Sequence, residues 1–246
     1  MKTFVETIAR YVPTYPESLR PASPAEIQQL EERIGRCLPA SYRSFLELMG
    51  HGVGALDMFG ADFDISTIID LHAPGRWRAP ERYLRIARQK EHPRLDVYLD
   101  LGWNPAEPRV VRFESWGEIS EENEDFCVVF NSLPEMWFSF AFLQLRMPLL
   151  PYRAFYAPAR QDPDAKPVPY IERLDTLARK LGFERIPCTS LMSPCYERGD
   201  AALKGYEPDA YSLGIVLAVQ QEQERMRIEQ LLEDHVCVVR SQAWQV

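Results

Sequence analysis

Apolar residues along this chain follow two rhythms, and together they outline most of its elements. Near the start, Phe4, Val5, Ile8 and Val12 fall on one stripe of a short amphipathic helix. Residues 13–24 hold four prolines, which stop helices and strands and mark an extended arm. Ser23, Pro24 and Glu26 then form a strong helix start. Ser23 can accept from the orphan N–H groups, Pro24 suits the first helical position, and Glu26 completes a capping box. Ile27, Leu30 and Ile34 follow at helical spacing up to Gly35, and a second helix begins near Leu38 and Pro39. Its residues Tyr42, Phe45, Leu46 and Met49 make one apolar face, and Gly50, Gly52 and Gly54 end it.

The rhythm then changes to short β-branched or aromatic runs, which predict strands at 83–87, 96–101, 109–113 and 126–130. In the first of them, Arg82, Tyr83, Leu84, Arg85 and Ile86 alternate as on an exposed edge strand. Asn131 or Ser132 can cap a helix from Pro134 that carries Met136, Trp137, Phe140 and Ala141. Residues 148–169 are proline-rich again, which suits a domain boundary or a packed extended arm. Beyond lie a helix at 170–181, strands at 186–196, 201–206 and 211–219, a charged helix at 220–235 and a last strand at 236–240. The expectation is an α+β protein in three parts. An N-terminal helix and proline-rich arm span 1–21, an antiparallel sheet flanked by helices spans 22–148, and a C-terminal α+β extension spans 149–246.

Composition narrows the functional classes. With 46% hydrophobic and 26% charged residues, the 246-residue chain has the make-up of a soluble globular protein. Five scattered cysteines form no C-x-x-C pair, as expected for idle thiols in a reducing compartment. No apolar run approaches the ~18 residues of a membrane span. Glu6 and Arg10 interrupt the first apolar stretch, which makes it a poor signal peptide. These features predict a cytoplasmic protein with no membrane partner. The net charge of −8 disfavours nucleic acid as a partner.

Catalytic chemistry finds little support. His51, His72, His92 and His235 lack metal-ligand spacing. The glycines around His51 follow a helix, so a helix-ending turn suits them better than a phosphate loop. The acid pairs Asp62/Asp64 and Asp96/Asp100 could support proton transfer, but such pairs are common on ordinary surfaces. The expectation is a binding protein with no catalytic residues, cofactor or metal. An enzyme with its site in the C-terminal region is the outside alternative.

Three features could bind a partner. Residues 114–125 hold six acids and no base, with Trp116 among them. There Glu118, Glu121, Glu122, Glu124 and Asp125 could steer a basic partner onto the tryptophan. The plainer alternative is a solvated hairpin loop with Trp116 folded back on the sheet. Residues 76–94 carry seven Lys or Arg, which suits a structural or partner-facing role in so acidic a chain. Trp77 and Trp103, like Trp116, fall in expected loops, where they can anchor an interface or plug the end of a core.

The stretch from Pro21 to Gly52 resembles the opening motif of SMI1/KNR4 (SUKH) domains. The matching positions are Ile27, Leu30, Glu31, Gly35, Leu38, Pro39, Tyr42, Phe45, Leu46, Gly50 and Gly52. The resemblance covers roughly 22–145 and implies a small SUKH-like α/β scaffold. Bacterial members of the family are mostly immunity proteins that bind and neutralise a cognate toxin, often a nuclease, and fungal members are regulatory scaffolds. The resemblance therefore implies a toxin-neutralising protein, and the acids at 114–125 add the expectation that the toxin presents a basic active-site surface. A regulatory scaffold without a toxin is the alternative.

Overall fold

A computed structural model describes residues 2–89, 95–113, 126–159, 168–209 and 212–241. The chain divides into two compact units, Met1–Phe140 and Ala141–Val246.

The first unit begins with α1 (Lys2–Ala9), a 3-10 turn (Tyr15–Ser18) and β1 (Leu19–Arg20). Then come α2 (Pro24–Ile34), α3 (Ala40–Met49), β2 (Gly52–Val53), β3 (Ala61–Asp62) and α4 (Ile65–Leu71). Four longer strands follow, β4 (Tyr83–Gln89), β5 (Val97–Asp100), β6 (Arg109–Phe113) and β7 (Phe126–Phe130), and then α5 (Leu133–Ala141). The sheet runs in the order β3-β4-β5-β6-β7 with antiparallel neighbours. The α+β fold class read from the sequence is the observed one.

The start of α2 forms as its sequence dictates. The Glu26 N–H donates to Ser23 Oγ, and the Ser23 N–H donates to Glu26 Oε2 at 2.8 Å. Gly35 ends the helix in the left-handed region, at φ 74°. Glu31 then ties α2 to α3. Its carboxylate accepts from the Leu38 N–H at 2.8 Å and from Arg43 at 2.5 Å. The contact at Leu38, followed by Arg43, holds the Glu31 pKa below the usual carboxylate range despite the opposing effect of desolvation. At the far end of α3, a Cβ on Gly50 would stand 2.5 Å from Ala22 Cβ, so only glycine fits where the two segments cross.

The apolar face of α3 packs on α5. Trp137 is fully buried, stacked on Phe45 at 4.4 Å and edge-on to Phe63 at 5.4 Å. Phe4 packs edge-on against Phe138 at 5.0 Å, and Ile8 is buried with it. The helix and arm at 1–21 thus supply part of the core of this unit. β3 pairs only with Arg88 and Gln89 of β4, so Tyr83–Ala87 pair with β5 alone, but Tyr83, Leu84 and Ile86 are buried and the exposure expected from the alternation is not observed. Apolar cover on both faces of the sheet is the physical reason.

The second unit opens with a π-helical turn (Phe142–Arg146) and a 3-10 turn (Met147–Leu149). Then come β8 (Tyr152–Pro158), α6 (Tyr170–Lys180), β9 (Glu184–Arg185), β10 (Cys195–Arg198) and β11 (Ala201–Asp209). The chain continues through β12 (Ser212–Val219), α7 (Glu222–Val236) and β13 (Val238–Ser241). The sheet order is β13-β8-β12-β11-β10-β9, with every neighbouring pair antiparallel. Leaving out the β9-β10 hairpin, β8-α6-β11-β12-α7-β13 is a split β-α-β arrangement. Leu174 and Leu177 of α6 and Ile228 and Leu232 of α7 pack on one face with Leu203 and Leu217. A Cβ on Gly205 would stand 2.7 Å from Ile171 Cδ1 and 2.9 Å from Leu174 Cδ2, so its absence lets α6 lie close to β11.

Phe142, Met147 and Leu150 pack with Cys195, Ala202 and Ala218, a second cluster of this unit. The unit therefore starts at Ala141, ahead of the division at 148/149 drawn from the proline-rich stretch. The strand expected over 186–196 is instead two short ones, Glu184–Arg185 and Cys195–Arg198. Pro187 and Pro194, which have no N–H to donate, fall between them.

Candidate functional site

The sheet face of the first unit that carries Tyr83, Tyr98, Val111 and Phe113 holds the most distinctive side chains among the described residues. Alternation puts Arg85 on this face beside Tyr83, Asp100 beside Tyr98, and Arg109 beside Val111. Tyr83 packs edge-on to Phe113 at 4.9 Å, as Tyr98 does at 5.2 Å.

Asp100 is the electrostatic centre of the face, with its side chain fully buried. Arg82 grips it in bidentate fashion, Nε to Oδ1 at 2.8 Å and Nη2 to Oδ2 at 3.0 Å. Arg109 Nε donates to Oδ2 at 2.9 Å, and the Gly102 N–H donates to Oδ1 at 3.1 Å. Burial alone would raise the Asp100 pKa. The hydrogen bonds and charges of the two arginines outweigh it and hold the carboxyl below its ordinary range. On the neighbouring register, Asp96 accepts from the Gln89 N–H at 2.9 Å and faces Arg85 Nε at 3.5 Å. Burial leads there, and the Asp96 pKa is raised against the opposing Gln89 hydrogen bond and the charges of Arg85, Arg88 and Arg112.

These buried acids fix guanidinium groups, and two tryptophans rest on the guanidinium groups. Arg85 lies 4.9 Å from the Trp77 ring centroid, and Arg109 lies 4.7 Å from that of Trp103. Trp77 and Trp103 remain 52% and 66% exposed, which sets them apart from the buried Trp137. The structure thus ties both candidate tryptophans to one sheet face. Trp116, Glu118, Glu121, Glu122, Glu124 and Asp125 lie outside the described residues. The sequence places Arg85 only within the partner-facing basic stretch 76–94, and nothing in it marks Arg109. Arg85 two positions after Tyr83 on a strand was the available signal.

The other candidate chemistry is taken up by the fold. Asp64 caps α4 by accepting from the Ser66 N–H at 2.8 Å. Asp62 accepts from the Asp64 N–H and the Thr67 hydroxyl. His51 bridges two helix starts, with Nε2 2.8 Å from Glu26 Oε1 and Nδ1 3.3 Å from Asp64 Oδ2. Among the described residues, no group of three or more His, Cys, Asp and Glu is placed to hold a metal ion. No helix among them is long and apolar enough to cross a membrane.

The His51 bridge predicts a pH dependence. Burial opposes the imidazolium, but the hydrogen bonds to Asp64 and Glu26 and the charges of both outweigh it, raising the pKa above 6.5. A raised pKa means that the folded state favours the proton. The stabilisation is present in full below 6.5 and is lost as pH rises through the raised value. The native chain should exceed His51→Asn in melting temperature at mildly acidic pH and lose that margin at alkaline pH, as followed by circular dichroism. An equal margin at both would exclude a charged bridge.

Helices clasped by a capping box and a Glu31 clamp, packed on an antiparallel sheet, define an α+β scaffold. Residues 1–71 match the family model described as SMI1-KNR4 cell-wall, SUKH_5. Over this N-terminal region the chain is similar to the SMI1/KNR4 (SUKH) family. The matched region begins with α1, which the motif alone left outside, and ends with α4. No curated protein and no solved structure matches the chain.

Proposed function

We propose that this chain is an immunity-type member of the SMI1/KNR4 (SUKH) family, binding a cognate protein toxin in the cytoplasm and blocking it sterically. The observation that carries the reading is the pair Trp77 and Trp103, both largely exposed and both resting on arginines that buried acids hold in place. Tryptophan and arginine dominate the energetics of protein interfaces. A ring held in place before binding loses less side-chain freedom when the partner arrives. The similarity to the family supplies the type of partner, and the exposed rings supply a place for it. The expectation that the toxin surface is basic rests on the acids at 114–125, outside the described residues.

The test is co-expression with the product of an adjacent toxin gene, scored by growth rescue and by affinity of the purified pair. Trp77→Ala and Trp103→Ala should each weaken binding by about tenfold or more. Both rings are exposed, so the melting temperature should change little. Joint replacement of Glu121, Glu122, Glu124 and Asp125 by lysine should reduce protection if that segment steers the toxin. Failure to bind or rescue would remove the immunity reading. Capture of housekeeping proteins with no toxin gene nearby would favour a regulatory scaffold.

A further inference from the structure

The surface around Trp77 is rich in guanidinium groups, although the chain carries a net charge of −8. Arg76 and Arg78 flank Trp77, and all three are exposed. Arg78 Nη2 lies 3.5 Å from the His72 carbonyl oxygen at the end of α4. The His72 ring lies 3.3 Å from the Arg85 carbonyl oxygen, and Arg85 extends its guanidinium beneath Trp77. Asp96 faces Arg85, but neither Arg76 nor Arg78 has a carboxylate partner among the described residues. A separate sign of this convergence comes from His72. Burial lowers its pKa most, and the charges of Arg85, Arg78 and Arg36 lower it further, against the contact with the Arg85 carbonyl.

We propose that this surface receives an acidic segment of the protein partner, with carboxylates on Arg76 and Arg78 and an apolar side chain against Trp77. The inference rests on the reading of this face as a partner-binding surface. Guanidinium groups pair with carboxylates in a planar, two-point geometry that lysine does not offer. A short acidic segment fits better than a nucleic acid, because the rest of this acidic chain repels a long polyanion.

The test uses the full chain and three labelled probes: an oligoglutamate peptide ending in leucine, its lysine counterpart, and a single-stranded oligonucleotide. The glutamate probe should bind, weaken as salt is raised, and lose about tenfold in affinity in Arg76→Glu/Arg78→Glu. Arg153→Glu/Lys180→Glu makes the same change in net charge on exposed positions of the second unit and should leave binding unchanged. No binding of the glutamate probe, or equal loss in both double variants, would overturn the proposal. Tighter binding of the oligonucleotide at the same arginines would replace the acidic segment with nucleic acid. With a cognate toxin in hand, the two readings separate. Loss in the tryptophan variants without loss in Arg76→Glu/Arg78→Glu would sink the acidic segment alone, and no loss in either set would sink the binding face itself.

Discussion

Replacing Trp137 with alanine should destabilise the first unit by about 4 kcal/mol. The ring is fully buried, and its removal takes away the stacked contact with Phe45 and the edge contact with Phe63 at once. The loss combines transfer of a large apolar surface with a cavity that α3 and α5 can only partly close. The melting transition assigned to this unit should fall by on the order of 10 °C. Trp137→Phe is the informative companion. It keeps a ring against Phe45, and the indole N–H it discards has no hydrogen-bond partner among the described residues. Its cost should be a fraction of that of the alanine variant. Equal costs would mean that the shape of the indole, and neither the buried volume nor a stacked ring, sets the stability.

Asp100→Ala should cost about 3 kcal/mol, because it removes the shared acceptor of Arg82 and Arg109. Both guanidinium groups would then have to find water or other acceptors from partly buried positions. The Gly102 N–H also loses its acceptor, and with it goes the anchoring of the turn that bears Trp103. The sign of the pH dependence follows from the lowered carboxyl. Its contribution is present above the ordinary value of 3.8 and is lost as pH falls through the lowered one. Chemical denaturation of the native chain and of Asp100→Asn should therefore show a gap at neutral pH that closes in strong acid. A gap that persists there would assign the loss to packing.

The contrast between these two sites explains what the amino-acid pattern could disclose. The helix pair at α2 and α3 is legible because its determinants are local. Ser23 and Glu26 cap within one turn, and Tyr42, Phe45, Leu46 and Met49 repeat at helical spacing. The strands from β4 to β7 are legible for the same reason, as apolar runs between turn residues. α4 escapes notice because it is short, although Asp64 as cap and Ile65, Ile68 and Ile69 at helical spacing mark it. The stacking of Trp77 on Arg85 and of Trp103 on Arg109 joins loops to strands brought together by folding. Nothing in the spacing of those residues announces it. The same holds for Asp100, whose partners Arg82 and Arg109 lie on either side of it in sequence and meet only through sheet register.

Both larger sheets finish one border with a strand of two residues, β3 in the first unit and β9 in the second. β3 ends in Asp62, and β9 consists of Glu184 and Arg185. A border so short and charged offers an incoming strand little ladder to extend. Fibrous growth by strand addition needs a receptive border on each side of a sheet. In the second unit, where β9 covers half of the four-residue β10, that side offers little to extend, which guards its sheet against open-ended aggregation.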